Sequence, residues 1–344
     1  MAKKAYIGVN GVARKIKKGY IGVDGVAHKI KKAYIGIGGV ARPCWSGGEL
    51  AYYGAITPLS QVRSKLAAAT VGNHALFGGG AYRNSSTYVA GYSDVVDSYD
   101  ASLTKGTPTA LSRPRQQLAA TTVGDHALFG GGYGYNKYGI DEVYVSAVTA
   151  YNASLSLTTP TELSLARRYL AAASNQNYAL FAGGNAKSMA TTSIVDAYDT
   201  SLTRTTPTEL SSGRYSMGAT TIGDRILFGG GQRGGGYPYT SDVVDAFDAT
   251  LVRSTPTTLS LARYGLVATA VEGFALFAAG YDGSGYSRVV DVYDESLVRT
   301  TATELSRERF QLAATTVGNC AIFGGGWTQR SSTYLDVVDA YTVA

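Results

Sequence analysis

Apolar residues in this chain fall in short bursts that alternate with polar ones or close on glycine. His74-Ala75-Leu76-Phe77 runs into Gly78-Gly79-Gly80, and Val95-Val96-Asp97-Ser98-Tyr99 follows after a polar loop. Neither stretch carries the period of an amphipathic helix. Both read as strands ended by turn residues. The bursts recur: the apolar strand returns at 126–132, 178–184, 225–231, 274–280 and 320–326, and the Val-Asp-x-Tyr strand at 147–152, 194–199, 243–248, 289–294 and 337–342. An Leu-Ser-x-x-Arg element precedes each, placing arginines at 63, 115, 167, 214, 263 and 309.

The body is thus six copies of about 50 residues, each with a small-residue strand, an apolar strand, a Val-Asp-x-Tyr strand and a fourth segment leading into Thr-Pro-Thr-x-Leu-Ser. A meander of four short strands cannot hide both of its faces, so such units must stack, and the period suits blades around an axis. The sixth copy ends after its third strand, while residues 51–60 look like a fourth-strand element with no three strands before it. Residues 51–60 are therefore expected to pair with 337–342 and close the ring, which removes exposed sheet edges.

A different repeat occupies the N-terminus. AYIGVNGVARKIKK, GYIGVDGVAHKIKK and AYIGIGGVARPCW place Asn10-Gly11, Asp24-Gly25 and Gly38-Gly39 at their centres, the dipeptides of tight hairpin turns. Residues 1–45 read as three short hairpins. Charge separates the two parts. Ten of the 31 basic residues and one of the 25 acidic ones lie in 1–45, so that segment carries +9 and residues 46–344 carry −3. The domain reading is a basic β-hairpin arm over 1–45, used for anchoring or assembly, and a near-neutral body over 46–344.

Composition sharpens this picture. Charged residues are only 16%, against 43 glycines and 26 tyrosines, as many short strands and tight turns require. Two cysteines, Cys44 and Cys320, make neither a disulfide framework nor a four-cysteine zinc site. No apolar run is long enough for a membrane-spanning helix, and the start lacks the apolar core of a secretory signal.

The glycine-ended strand, the Val-x-x-Tyr-Asp strand and the arginine before the first strand, six times in phase, resemble Kelch-repeat β-propellers over about 52–342. One departure stands out: the tryptophan usual in the fourth Kelch strand is absent, and Thr107-Pro108-Thr109 and its equivalents take its place. The resemblance implies an all-β, six-bladed Kelch-like propeller preceded by the basic arm. The lysine- and glycine-rich hairpins joined to near-identical copies also resemble phage and prophage tail or virion proteins.

Catalytic chemistry needs convergent acids, bases, nucleophiles or metals. The three histidines, His28, His74 and His126, show no ligand spacing, and the positions of the last two are Tyr178, Arg225, Phe274 and Cys320 in other copies. The glycine triplets open no helix and lack the lysine of a phosphate loop. No catalytic residue, metal or cofactor is assigned. The recurring aspartates read as architecture, because a catalytic site would break the symmetry.

What differs between copies is the loop after each glycine triplet. In a Kelch-type meander these loops share one end with the turns carrying the arginines. The expected ligand surface combines Arg63, Arg115, Arg167, Arg214, Arg263 and Arg309 with Tyr82, Tyr135, Tyr138, Tyr237, Tyr281 and Trp327, a chemistry suited to glycans or acidic peptide groups. The alternative is that the arginines pin the turns between copies. The functional expectation is a non-enzymatic protein of an extracellular particle, made in the bacterial cytoplasm. Its arm would contact other virion or tail proteins and its loops a host-surface glycan or protein. A purely structural decoration protein is the alternative, and an enzyme acting on glycans is less favoured. Nucleic acid is disfavoured as a partner, since aromatic interleaving in the arm is limited to Tyr6, Tyr20 and Tyr34.

Overall fold

The computed structural model describes 6–9, 12–15, 20–23, 26–29, 32–37 and 40–46 as backbone strands, and the chain from 56 onward except 84–89, 136–140, 236–238, 329–332 and 343–344. Two compact units result, Met1–Ile56 and Thr57–Ala344. In the first unit, Tyr6–Val9 pairs with Val12–Lys15, Tyr20–Val23 with Val26–Lys29, and Lys32–Ile37 with Val40–Ser46, all antiparallel. Each pair leaves two residues between its strands, as the spacing of the Asn-Gly, Asp-Gly and Gly-Gly dipeptides requires.

The second unit is a series of antiparallel meander sheets, an all-β and β-propeller-like arrangement. The first sheet holds Ala67–Val71, His74–Gly78, Val96–Tyr99 and Lys105–Gly106. The second holds Ala119–Val123, His126–Gly130, Val148–Asn152 and Leu157–Thr158, and the third Ala171–Ser174, Tyr178–Ala182, Val195–Asp199 and Arg204–Thr205. The fourth runs from Gly218–Ile222 to Arg253–Ser254 and the fifth from Val267–Val271 to Arg299–Thr301. The sixth has three strands among the described residues, Ala313–Val317, Cys320–Gly324 and Val338–Thr342.

Neighbouring sheets pack face to face, and this buries the third strand of each inner sheet along nearly its whole length. Val195, Ala197 and Tyr198 are all fully buried. Tyrosine in the middle of such a strand needs a partner for its hydroxyl. Tyr151 donates to the Thr109 carbonyl at 2.6 Å and Tyr198 to the Thr161 carbonyl at 2.7 Å, each reaching into the Thr-Pro-Thr segment of the preceding copy. Glycine ends the second strand because the next sheet leaves no room. A Cβ on Gly130 would lie 2.8 Å from Cε1 of Phe181. Five apolar clusters form in this way, one between each consecutive pair of sheets.

Backbone bonds repeat with the packing. Gly80, Gly132, Gly184, Gly231 and Gly280 donate to the carbonyls of Arg115, Arg167, Arg214, Arg263 and Arg309, each in the following copy. A second chain of bonds runs through the residue two places after each arginine, from Gln117 to Lys65, Tyr169 to Gln117, Ser216 to Tyr169, Gly265 to Ser216 and Gln311 to Gly265. Among the described residues neither series continues from the sixth sheet to the first. The sixth sheet is correspondingly uncovered: Val317 is 50% and Val338 62% exposed, where Val123 and Val148 are at 1%.

The expected closing strand falls largely outside the described residues, which begin again at Ile56. Val338–Thr342 pairs with Cys320–Gly324 on its described side. Thr57 and Ser60 lie against the first sheet: Tyr99 donates to the Thr57 carbonyl at 2.7 Å and the Ser60 amide to Asp97 at 3.1 Å. That is the place Thr109 and Ser112 hold against the second sheet.

Candidate functional site

The six arginines, expected on a ligand surface, are inside the protein. Arg115, Arg167, Arg214, Arg263 and Arg309 have no exposed surface, and neither has the side chain of Arg63. Each reaches back across its own sheet. Nη2 of Arg63 donates to the Phe77 carbonyl at 3.0 Å and pairs with Asp97 at 2.7 Å. Arg167 pairs with Asp196 at 2.8 Å, Arg214 with Asp245 at 2.5 Å, Arg263 with Asp291 at 2.8 Å, and Arg309 with Asp339. A guanidinium supplies enough donors to tie two strands and a turn together in a space that excludes water. The arginine half of the expected ligand set is therefore corrected: these side chains pin the turns between copies and are closed to any ligand.

The neighbouring position is more open in five of the six copies, Gln116 being buried. The residue after each arginine is Ser64, Gln116, Arg168, Tyr215, Tyr264 or Phe310, and it bridges to the first residue after the glycines: Ala81, Tyr133, Asn185, Gln232, Tyr281 or Trp327. Strand geometry fixes the backbone of this pair and leaves its side chains free to differ. The rings they supply form an arc with Tyr92, Tyr135, Tyr144, Tyr169 and Tyr286 beside them. Tyr92 lies 4.9 Å from Tyr135 and 6.0 Å from Tyr133, centroid to centroid, and Tyr133 lies 5.3 Å from Tyr144. Cζ of Arg168 sits 4.8 Å over Tyr133, 5.3 Å over Tyr144 and 5.3 Å over Tyr169. Tyr169 then reaches Tyr215 at 6.0 Å.

Beyond Tyr215 the rings crowd. Tyr264 lies 5.5 Å from both Tyr281 and Phe310, and Tyr286 lies 5.6 Å from Phe310 with planes 15° apart and 5.5 Å from Trp327. All five are only partly buried. Of the six loop aromatics expected at the site, Tyr135, Tyr281 and Trp327 belong to this arc. Tyr82 packs over Gly91, its cross-strand partner in the same hairpin, and Tyr138 and Tyr237 lie outside the described residues. Tyr92, Tyr133, Tyr144, Arg168, Tyr169, Tyr215, Tyr264, Tyr286 and Phe310 were missed, although variation beside a fixed arginine was a readable signal for four of them.

The arc is polar at one end. Glu142 accepts from Tyr92 at 2.5 Å and from Tyr133 at 3.2 Å. Burial first, and the Glu142 carboxylate second, push both phenols up, so they remain proton donors at neutral pH. At the other end only burial and neighbouring phenols raise Tyr264 and Tyr286.

Along the first strands of the third to sixth sheets, Ala172, Ala219, Ala268 and Ala314 with Met217 line an open depression of about 210 Å³ whose described lining offers no convergent polar side chains. Among the described residues no three His, Cys, Asp or Glu side chains gather as metal ligands.

No family model matches the chain, and no curated protein does. Among solved structures it is similar to one titled "Structure of YjhT", with 15% identity, a TM-score of 0.63, and coverage of 84% of this chain and 97% of that one. At this identity the likeness bears on the fold alone.

Proposed function

We propose that this chain is a non-enzymatic binding component of a phage or prophage particle, carried on its tail or surface outside the cell. The basic hairpins dock on other virion or tail proteins. The loop end of the body binds a host-surface ligand. In this reading the six sheets are blades of one closed Kelch-like ring, the sixth completed by residues 51–60 and seated against the first. The repetition of one junction five times supports closure, since the face left on the sixth sheet is the one that every other sheet buries against its successor.

The observation that carries the binding reading is the arc of partly exposed rings from Tyr92 to Trp327, built from positions that differ among copies whose strands agree. Rigid sheets holding variable aromatic loops are a scaffold for recognition. Adsorption of the labelled full chain to a panel of bacterial cells tests it. Saturable adsorption is expected, weakened about tenfold in a Tyr92→Ala, Tyr135→Ala, Trp327→Ala variant that melts normally. A chain that adsorbs to no cell leaves the purely structural decoration role in its place.

A further inference from the structure

The left-handed backbone at Gly265, φ 63°, favours glycine but does not demand it. The same position in the other copies is Lys65, Gln117, Tyr169, Ser216 or Gln311, all in the same left-handed conformation with φ between 53° and 57°. What is particular to Gly265 is its neighbour: a Cβ there would lie 2.1 Å from Cε2 of Phe310. The missing side chain lets the Phe310 ring lie down against the backbone, and Tyr286 then stacks over it with planes 15° apart. Trp327 and Tyr281 flank Tyr286 at 5.5 Å, and Tyr264 meets Phe310 at 5.5 Å. Five rings from two sheets thus make one partly exposed platform.

We infer that this platform is a subsite for a neutral pyranose ring of a polysaccharide, held by C–H groups over the faces of Tyr286 and Trp327, with Phe310 as the base on which Tyr286 stacks. This assignment rests on the binding role proposed above and names its ligand class. A pyranose presents an apolar C–H face rimmed by hydroxyls. The platform presents electron-rich ring faces with phenol hydroxyls at their tips. Charge argues against the other flat ligands: the six repeated arginines are buried, Arg288 beside the platform is paired with Glu304, and residues 46–344 carry net negative charge, which opposes a nucleic-acid backbone. Arg168 and Glu142 stand at the far end of the arc, among Tyr133, Tyr144 and Tyr92, and contribute nothing to the platform.

The full chain carrying Trp45→Phe keeps Trp327 as its only tryptophan and so reports on the platform. It is titrated with a soluble glucan, a galactan and a mannan, with polygalacturonate, and with a decaproline peptide. A saturable change in Trp327 emission is expected with at least one neutral polymer. Affinity then falls about tenfold in Phe310→Ala and about threefold in Gly265→Ser, and is unchanged in Val252→Thr, an exposed position outside the arc. Gly265→Ser guards against misfolding, because Ser216 already occupies the equivalent position at φ 54°. A response only to polygalacturonate or decaproline, no response at all, or binding indifferent to both platform variants overturns the assignment. Adsorption to cells without a response to neutral polymers removes the saccharide and leaves the binding role standing. Failure of both removes the role itself.

Discussion

Arg115 turns its guanidinium on Thr149, where every other copy sets the equivalent arginine against an aspartate. Nη2 of Arg115 donates to Oγ1 of Thr149 at 3.2 Å and to the Phe129 carbonyl at 3.1 Å, and among the described residues it has no ion pair. The second cation of the motif is missing as well. Lys105, Arg204, Arg253 and Arg299 approach their aspartates at 3.4, 2.9, 3.8 and 3.1 Å, and the second sheet has Leu157 in that place. One carboxylate and one outer cation have been lost together, leaving a fully buried charge that burial pushes down to about 10. Thr149→Asp is expected to stabilise the protein by about 2 kcal/mol, since it supplies the countercharge without burying a new cation. Asp245→Asn, which strands Arg214, is expected to cost about 3–5 kcal/mol. Urea midpoints at constant slope measure both, and a lower midpoint for Thr149→Asp refutes the account.

Stability should fail at alkaline pH through tyrosine. Burial pushes Tyr151, Tyr198 and Tyr293 well above the ordinary phenol range, and Tyr341 up to about 12. A group raised on folding contributes stability that is complete below its unfolded pKa of about 10 and is lost as pH rises toward the folded value. Phenolate absorbance at 295 nm should therefore rise in two steps, exposed tyrosines first and buried ones together with loss of the strand signal. A single step near the ordinary value, with the fold intact, contradicts this. The acid side has the opposite sign. Burial pushes Asp97 up, but the Ser60 hydrogen bonds and Arg63 outweigh it, so its pKa is lowered. Its contribution is complete above about pH 4 and is lost as pH falls below that.

The strands, the copy number and the hairpins could be read from the chain because each depends on local chemistry: glycine after Phe77 or Phe129, and Asn-Gly between paired valines. The fate of the arginines could not. Arg167 and Asp196 are 29 residues apart, and nothing local states that a strand folds back to bring them to 2.8 Å. Their joint recurrence was the available clue, and the one copy that lacks the aspartate, at Thr149, sharpened it. The arc was half legible for a related reason. Tyr281 and Trp327 stand out in variable loops, whereas Tyr264 and Phe310 follow a conspicuous arginine and acquire their role only when the bridges to 281 and 327 form.

Ring closure makes a prediction that separates it from an open row of sheets. Gly130 and Gly324 hold the same place in their copies, but Gly130 faces Phe181 at 2.8 Å, while a Cβ on Gly324 would meet only Val338, at 3.7 Å. In a closed ring Phe77 of the first sheet takes the place of Phe181. Gly130→Val should cost about 1–3 kcal/mol by overpacking, and Gly324→Val should cost the same only if Phe77 is seated there. Spin labels give the distance directly. Asn73 and Asp125 occupy equivalent exposed hairpin tips in the first and second sheets, and Asn319 the one in the sixth. With Cys44 and Cys320 replaced by serine, the 73–319 distance should match the 73–125 distance if the ring closes. The match must persist when labelled protein is diluted with unlabelled chain, because a signal that fades on dilution comes from the sixth sheet of one molecule seated on the first sheet of another. A longer 73–319 distance, together with a neutral Gly324→Val, means that the sixth face stays open.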